Sequence, residues 1–358
     1  MTPHPVHGRS TDDELNALQD FSARIGRDPL LVQGATGNTS IKLGGTLWIK
    51  ASGKWLLHAK SDDIFLPVPL EDVRQSIRTN TRYVFDESGH NGKLQPSVET
   101  AMHAVLPHRV VVHVHSVSAI AHAVRRDGQE VVARRLHGLA WRWIPYVASG
   151  LPLALEIQKA LRPTPEVLIL ANHGVVVGAP DCKSAERLLE DLEQRLAIPP
   201  RKASPRPRSI SEPEMKLPNE PVRAAETSWL PCPRQPLQRL ALDPVSQGIL
   251  RGGTLYPCHA IFLGPAVAFA SSLDQVAESI AAHKRDSGRP PAFLIVKDEC
   301  VLLSSNISPV QLEILEGLLQ VVERLEADTP IRYLTRSEVA ALDGSESARY
   351  RQLAQGVA

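Results

Sequence analysis

Aromatic residues are scarce in this chain: phenylalanine, tryptophan and tyrosine make up 4% of its 358 residues, so aliphatic side chains must form most of any core. Net charge is also lacking, because 40 basic residues oppose 39 acidic ones. No global field attracts nucleic acid or an anionic membrane, and neither is predicted as a partner. With 43% hydrophobic residues, the chain still has enough apolar surface to fold.

Paired cysteines are missing too. Cys182, Cys232, Cys258 and Cys300 form no Cys-x-x-Cys motif, which argues against a thiolate zinc site and against a disulfide framework. The sequence shows neither the apolar run of a signal peptide nor the roughly 18 apolar residues of a membrane span. We therefore expect a soluble protein in a reducing, cytoplasmic compartment.

Proline, by contrast, is concentrated in the segment 199–236. Proline removes a backbone donor and disfavours helix before it, so we predict an irregular linker there. The linker carries a basic run, which we interpret as a solvated segment in preference to a nucleic-acid patch. The basic residues are Arg201, Lys202, Arg206 and Arg208.

On either side of this linker, amphipathic and β-branched segments alternate, which is typical of α/β layer domains. Before the linker, the sequence predicts helices over 12–25 and 184–196 and strands over 46–50, 109–114, 167–170 and 175–177. We therefore divide the chain into an α/β domain at 1–198, the linker, a smaller α/β lobe at 237–341 and a tail at 342–358.

The smaller lobe repeats part of the first domain. When the sequence is aligned with itself at a shift of 126 residues, Leu294 aligns with Leu168 and Val301 aligns with Val175. A degenerate internal duplication is one interpretation. The other is that any strand–turn–strand–helix unit looks alike in so short a window.

Histidines supply the first chemical signal. His113 and His115 end a predicted strand, where residues two apart share a face and can approach one metal ion. Alone, such a pair is more often an ordinary surface or core feature. His173 follows another strand in an Asn-His-Gly turn and can meet the pair from a neighbouring strand. Three neutral imidazoles would leave a coordination position open, as catalytic ions require.

Other histidines and polar loops give weaker signals. His103, His108 and His122 have no evident reason to converge on the pair, and we interpret them as bystanders. Ser97 is a natural helix N-cap, with Glu99 in the first turn. The small, polar loops at 34–40 and 51–53 suit a phosphate site that uses no lysine, although polar hairpin loops look the same. The lobe's Cys258-His259 pair is interpreted as an ordinary core cysteine and turn histidine.

Taken together, these motifs are more specific. The ordered set Gly-Asn-Thr-Ser, Ser-Gly, Ser-x-Glu-Thr, His-x-His-Ser and Asn-His-Gly resembles the class II aldolase/adducin family, which includes fuculose- and rhamnulose-phosphate aldolases. The resemblance covers roughly residues 12–197 and is strongest at 96–100 and 112–116.

The resemblance implies roles for named residues. His113, His115 and His173 match the family's metal ligands, and Glu99 matches its acid/base carboxylate. The ion would be zinc, with manganese or cobalt as alternatives. The positions that match the substrate-phosphate site are Gly37, Asn38, Ser52, Gly53 and Ser97.

The resemblance also implies a fold and a reaction. The fold would be a three-layer α/β/α sandwich around a largely antiparallel sheet, often assembled as a homotetramer. The reaction would be metal-dependent cleavage of a carbon–carbon bond in a small, phosphorylated ketose through a metal-stabilised enediolate. A 3-oxo sugar-acid phosphate decarboxylase and a retro-aldol epimerase are alternatives, as is a non-catalytic adducin-like interaction module.

The chain departs from the family pattern at three points. Val98 stands where the sugar-phosphate aldolases usually have a second serine before the glutamate, so the anion could be held differently, as in a sugar acid. No motif identifies a tyrosine acid. The lobe at 237–341 extends beyond the minimal aldolases, and we interpret it as shaping the pocket or the oligomer.

Overall fold

The computed structural model describes residues 10–85, 94–202, 221–224, 227–342 and 344–356. The strands are β1 (Asn38–Leu43), β2 (Thr46–Lys50), β3 (Phe65–Pro69), β4 (Val110–Val114), β5 (Trp141–Ile144), β6 (Val167–Leu170), β7 (Gly174–Ala179), β8 (Val222–Ala224), β9 (Thr227–Pro231), β10 (Ala268–Ala270), β11 (Phe293–Val296) and β12 (Cys300–Ser304). The helices are α1 (Thr11–Ile25), α2 (Leu70–Arg78), α3 (Thr100–Val105), α4 (Val117–Ala123), α5 (Gly128–Arg135), α6 (Leu151–Lys159), α7 (Cys182–Leu196), α8 (Arg239–Leu242), α9 (Pro244–Arg251), α10 (Val276–Ser287), α11 (Pro309–Val322), α12 (Arg336–Ala341) and α13 (Ser345–Gln355). Among the described residues, no helix is both long and apolar enough to cross a membrane.

Seven strands form the first sheet, in the order β3-β2-β1-β4-β7-β6-β5. Strand β4 pairs antiparallel with β1, Asn38 opposite His113, and with β7, Val114 opposite Val175. At the edge, β5 and β6 are parallel, because α6 carries the chain back between them. The sheet is therefore mixed, and the expected antiparallel arrangement is wrong for this edge pair.

Helices cover both faces of this sheet, which confirms the predicted α/β/α layering. On one face Val110, Val112 and Val114 of β4 pack in a buried aliphatic cluster with residues of α1 and α7. On the opposite face Val111 packs with Met102 of α3. This alternation follows from the two-residue period of a strand, so His113, two positions after Val111, lies away from the α1–α7 side.

The second sheet has five strands in the order β10-β11-β12-β9-β8. Two of them, β8 and β9, lie inside the segment predicted as an irregular linker, so that prediction is wrong for 222–224 and 227–231. The prolines stand at the borders of the strands: Pro221 precedes β8, and Pro231 ends β9 opposite Leu302. A proline at a strand end removes little of the hydrogen-bond ladder, so the two strands still form.

The predicted basic run is only partly described. Arg206 and Arg208 lie outside the described residues. Arg201 is described, and its guanidinium donates to the carboxylate of Asp243 and to the carbonyl of Val322. This arginine therefore ties the start of the segment to the C-terminal lobe.

The two sheets correspond strand for strand over five strands. The corresponding strands are β1 and β8, β4 and β9, β7 and β12, β6 and β11, and β5 and β10. In both sheets the first four strands pair antiparallel in this order, and the fifth pairs parallel with the fourth at the edge. At the shift of 126 residues the hairpin and edge registers agree: Val167 opposite Val177 and Phe293 opposite Leu303, Arg142 opposite Leu168 and Ala268 opposite Leu294. Asn172 and Asp298, which also correspond, both have positive φ, 51° and 60°. These correspondences support the duplication hypothesis beyond the short window that suggested it.

The two halves of the chain share one core. A single cluster of buried residues joins Ala35, Val117 and Ile120 of the first half to Phe262 and Leu318 of the second. The predicted tail also takes part, because it contains α13. The hydroxyl of Tyr350 on this helix donates to the carbonyl of Ala35 at 3.3 Å.

A buried carboxyl on α7 makes the stability depend on pH. Oε1 of Glu193 is buried without a hydrogen-bond partner among the described residues. Burial raises the pKa of Glu193 from 4.5 to about 7, although a hydrogen bond with Ser116 opposes the shift. The folded protein therefore binds this proton more tightly than the unfolded chain, and stability falls as the pH rises from about 4.5 to 7.

We expect Glu193→Gln to remove this pH dependence. At pH 8 the variant should be more stable than the parent by on the order of 2 kcal/mol, and at pH 4.5 the two should be nearly equal. Urea unfolding at both pH values measures the difference. Glu190→Gln, on the exposed face of the same helix, is the control, and an equal gain for both variants would contradict the assignment.

Candidate active site

Three histidines meet beside the central strands of the first sheet. His113 belongs to β4 and His115 follows it, while His173 stands in the turn between β6 and β7. Because β4 and β7 are neighbours, this turn faces the end of β4. All three are buried, and their ligand nitrogens lie within 4.8 Å of one another. No other group of three or more such side chains is found among the described residues.

The cluster fits a divalent ion. Nδ1 of His113 lies 3.0 Å from the carbonyl of Val175, to which it must donate, so Nε2 carries a lone pair. Burial lowers the pKa of His115 and of His173, which favours neutral imidazoles. Nε2 of His113 and Nε2 of His115 are 3.1 Å apart. Nitrogens in a tetrahedral zinc site are separated by roughly 3.3 Å, so little movement would be needed.

Glu99 lies against this cluster. Its Oε2 is 3.4 Å from Nε2 of His113, and its Oε1 is 3.4 Å from Nε2 of His173. Asn38 donates to Oε2 at 2.8 Å, and Ser149 donates to Oε1 at 3.4 Å. Burial acts to raise the pKa of Glu99, but positive charge on the neighbouring histidines and the hydrogen bond from Asn38 outweigh it and hold the pKa at about 2. With neutral imidazoles, a cation held by the three ring nitrogens would supply positive charge at the same place. The group is therefore a carboxylate at neutral pH.

A chain of hydrogen bonds fixes the Asn38 amide that holds Glu99. Since the amide nitrogen donates to the carboxylate, Oδ1 must accept, and Nε2 of His103 is its donor. Nδ1 of His103 then accepts from Ser40 at 2.7 Å. The interpretation of His103 as a bystander is therefore wrong: it orients Asn38. Neither His108 nor His122 lines the cavity.

A cavity opens in front of the cluster. Of the residues that the sequence assigns to phosphate binding, Gly37, Asn38, Ser52 and Ser97 line it. Gly53 does not line this cavity. It lies against α13, where a β-carbon would stand 2.5 Å from the carbonyl carbon of Leu353.

Two glycines allow the backbone to approach the cluster. Gly37 has φ of 66°, and a β-carbon there would lie 2.9 Å from the carbonyl oxygen of His113. A β-carbon on Gly174 would lie 2.6 Å from the carbonyl oxygen of Val114. Both approaches are too close for any side chain, which explains the glycines on either side of β4.

The local structure at Ser97 differs from the predicted cap. Helix α3 begins at Thr100, with Glu99 as its N-cap residue, so Glu99 precedes the first turn. The hydroxyl of Ser97 accepts instead from the amide of Glu99 at 3.2 Å and from Asn38 at 3.1 Å. Ser97 thus fixes the two residues that face the histidines.

The C-terminal lobe and the tail at 342–358 complete the site with residues that sequence patterns did not single out. Cys258 and Tyr350 line the cavity. Sγ of Cys258 lies 3.6 Å from Nδ1 of His115. Asn172, beside the third histidine, donates to the carbonyls of Leu255 and Arg332 at 2.8 and 2.7 Å. No local motif marks these residues, because they meet the site through packing of segments far apart in the chain.

We expect Cys258→Ala to weaken metal binding. For His115 to bind an ion through Nε2, Nδ1 must carry the proton and face the sulfur, and the substitution removes this partner. Loss of such a supporting contact lowers metal affinity by about tenfold or more. Competition with a fluorescent chelator measures the change. Cys300→Ala, which replaces another buried cysteine of the lobe, should leave the affinity unaltered.

The first half of the chain is similar to known proteins. A family described as Class II Aldolase and Adducin N-terminal domain matches residues 18–198. The N-terminal class II aldolase domain of a conserved protein from Thermoplasma acidophilum is 23% identical, with a TM-score of 0.45, over 55% of this chain and 98% of that chain. L-fuculose-1-phosphate aldolase from Thermus thermophilus is 20% identical, with a TM-score of 0.38, over 51% of this chain and 91% of that chain.

A curated relative is also similar. Uncharacterized oxidoreductase YuxG from Bacillus subtilis (strain 168) is 28% identical in an alignment of 170 positions that covers 42% of this chain and 24% of the relative. The match therefore spans about a quarter of that protein's length.

Proposed function

This chain belongs to the class II aldolase and adducin N-terminal domain family, and we propose that it is a divalent-metal-dependent carbon–carbon lyase that cleaves a small, phosphorylated ketose. The carrying observation is the buried cluster of His113, His115 and His173, with the two carboxylate oxygens of Glu99 3.4 Å from Nε2 of His113 and of His173, respectively. A buried carboxylate beside three imidazoles suits metal-assisted proton transfer, and Glu99, His115 and His173 line one cavity.

The ion that the three histidines would hold is zinc, with manganese or cobalt as alternatives. When bound, such an ion supplies Lewis-acid stabilisation of negative charge on oxygen. Proton transfer and the positioning of the carboxylate are carried out by residues of the chain. Glu99, a carboxylate at neutral pH, accepts a proton from carbon in the direction of bond formation and returns it in the direction of cleavage. Asn38 and Ser149 hold its two oxygens.

Ser97 and Ser52 stand at the cavity wall where the substrate would bind. Decarboxylation of a 3-oxo sugar acid and retro-aldol epimerisation also break a C–C bond and place negative charge on the neighbouring oxygen, so they are alternative outcomes of the same test. An adducin-like interaction module would not need the cluster. The complete set of His113, His115, His173 and Glu99 therefore favours an enzyme.

We also propose that residues 237–341 form a degenerate copy of the family fold, and that the copy serves to wall the first site. The matching registers of the two sheets support this. The second copy has Glu299 at the position of His173, so it would not bind the ion. The same proposal includes a first domain at 1–198, a second lobe at 237–341 together with β8 and β9, a tail at 342–358 and a homotetrameric assembly.

Metal analysis followed by a substrate panel tests the function. Purified protein should contain close to one zinc, manganese or cobalt ion per chain, and removal of the ion should abolish activity. The panel comprises ketose phosphates, free ketoses and 3-oxo sugar-acid phosphates. Release of an aldehyde supports the lyase, whereas release of CO2 indicates the decarboxylase. Protein that takes up no metal on reconstitution would point to the interaction module.

A further inference from the structure

One guanidinium group of the C-terminal lobe contacts three segments that line the cavity. It belongs to Arg332, which lies between α11 and α12 and is partly buried. The backbone of Arg332 is fixed on the first domain, because its amide donates to the carbonyl of Val124 at 2.7 Å and its carbonyl accepts from the side chain of Asn172 at 2.7 Å. A planar side chain with five N–H donors and a face that stacks on aromatic rings can then join several neighbours at once.

The first segment is the turn that carries the third histidine. Nη1 of Arg332 donates to Oδ1 of Asn172 at 3.0 Å. The side-chain nitrogen of Asn172 donates to the carbonyls of Leu255 and Arg332, so both polar atoms of this side chain are held by the lobe. Asn172 has φ of 51°, an uncommon conformation for a residue with a β-carbon. Its side-chain bonds therefore hold the turn and, with it, the backbone of His173.

The second segment is the loop between β5 and α6. The guanidinium carbon of Arg332 lies 5.1 Å from the centre of the Tyr146 ring, a distance at which a cation is attracted to the ring face. Tyr146 shares this loop with Ala148 and Ser149, which line the cavity. The hydroxyl of Ser149 donates to Oε1 of Glu99 at 3.4 Å. Arg332 thus also supports the loop that holds the carboxylate.

The third segment is α12. Nη2 of Arg332 donates to Oε1 of Glu338 at 2.5 Å, and Oε2 of Glu338 accepts from the amide of Thr335, the N-cap residue of this helix. Ala341, at the end of α12, and Leu342 after it line the cavity. One side chain therefore joins three parts of the wall that surrounds the carboxylate and the third histidine.

We propose that Arg332 is a positioning residue of the active site. It aligns the third histidine through Asn172, and it aligns the carboxylate of Glu99 through the loop that carries Tyr146. Arg332 does not itself line the cavity, so it acts only through these neighbours. It also lies outside the part of the chain that matches the family. The proposal rests on the proposed function only in taking the three histidines as the metal site.

The chain contains a matched control. Arg126 also donates from the first domain to this part of the lobe, from Nε to the carbonyl of Ile331 at 3.1 Å and from its amide to the carbonyl of Pro330 at 2.7 Å. Among the described residues, the side chain of Arg126 bonds to none that lines the cavity. Replacing either arginine weakens the attachment of the lobe, but only replacement of Arg332 should disturb the metal site.

Zinc affinity and the spectrum of bound cobalt test the proposal without any turnover. In Arg332→Ala, competition with a fluorescent chelator should show zinc binding about tenfold weaker, the lower end of the range for loss of a contact behind a metal ligand. With cobalt at saturation, the visible absorption of the ion should change, because it depends on the arrangement of the ligands. Arg126→Ala should leave both readouts as in the parent, even where it lowers the melting temperature.

Asn172→Gly tests the first route and covers the case in which Arg332→Ala does not fold. Glycine keeps the left-handed backbone and removes the amide that Arg332 holds. Zinc binding should weaken by a similar factor, and adding Arg332→Ala to this variant should weaken it little further. Unaltered zinc affinity in Asn172→Gly, or losses that add in the double variant, would contradict this route.

The second route has its own readout. Tyr146→Leu removes the ring beneath the guanidinium and leaves Asn172 in place. At saturating zinc it should lower kcat by about tenfold, because the carboxylate is less well aligned, and it should keep the zinc affinity of the parent. Tyr146→Phe retains the ring and should match the parent in both. Unaltered kcat in Tyr146→Leu would contradict this route.

The outcomes separate this inference from the proposed function. Zinc affinity and a cobalt spectrum that are unaltered in Arg332→Ala, or losses that are equal in Arg332→Ala and Arg126→Ala, would overturn the inference alone. A parent protein that binds no ion would overturn both. A parent that binds zinc, shows the effect of Arg332→Ala and cleaves no substrate of the panel would refute the proposed function and leave the alignment of the third histidine by Arg332 standing.

Discussion

Glu99→Gln keeps the fold and the bound ion and loses turnover by about 10²–10⁴-fold, the usual contribution of a positioned acid/base group. Glutamine has the shape of the carboxylate and an oxygen that can still accept from Asn38. Its amide cannot accept and return a proton at the reacting carbon. Steady-state kinetics on the substrate identified by the panel, together with elemental analysis, measure the two quantities separately.

Glu14→Gln is the matched control for that result. Glu14 is also a buried glutamate, and its carboxylate pairs with Arg109 at 3.1 Å outside the cavity. The control should keep both the ion and the turnover. Full activity of Glu99→Gln would mean that the proton is moved by a different group, and loss of the ion would mean that Glu99 is a ligand.

His113→Ala lowers the metal content from about one ion per chain to a small fraction of that value. Two imidazoles and a carboxylate remain, but the central ligand, the one whose tautomer Val175 fixes, is gone. Activity should fall by roughly 10³-fold or more, because the ion contributes several kcal/mol of stabilisation to developing charge. Elemental analysis after dialysis and kinetics with added metal measure both effects.

His122→Ala separates loss of a ligand from loss of a buried histidine. His122 is 2% exposed, and its Nε2 bonds to the carbonyl of Leu196, away from the cluster. This variant should lose stability and keep its ion. Normal metal content in His113→Ala would show that the three histidines are not the binding site.

Much of the first domain follows from local patterns. Strands β2 and β6 begin and end where the sequence predicts them, and β4 begins one residue later. Their runs of β-branched and aliphatic residues are too short for helices and too apolar for loops. The histidine cluster was predictable for the same reason: the two-residue spacing at His113 and His115 puts both on one face, and the third histidine ends a strand of the same sheet.

The supporting residues could not be predicted in this way. In the sequence, Lys50 is an ordinary polar residue at the end of a predicted strand, and only the packing around it shows that it is buried. His103 acts through Asn38, which lies 65 positions away in the chain. Proline density predicts an irregular segment and so misses strands β8 and β9, because Pro221 and Pro231 stand at the borders of these strands. Each of these features depends on contacts between segments that are distant in the chain, and local periodicity carries no information about such contacts.

The bonds of Asn172 to the C-terminal lobe have a thermodynamic consequence. This residue precedes the third histidine, and its left-handed conformation is held by two carbonyls and the guanidinium of Arg332. Docking of the lobe therefore sets the position of His173, the third proposed metal ligand. Because linkage is reciprocal, the free energy by which the docked lobe favours ion binding equals the free energy by which a bound ion favours docking of the lobe. The affinity for the ion and the stability of the docked lobe are therefore two measures of the same coupling free energy.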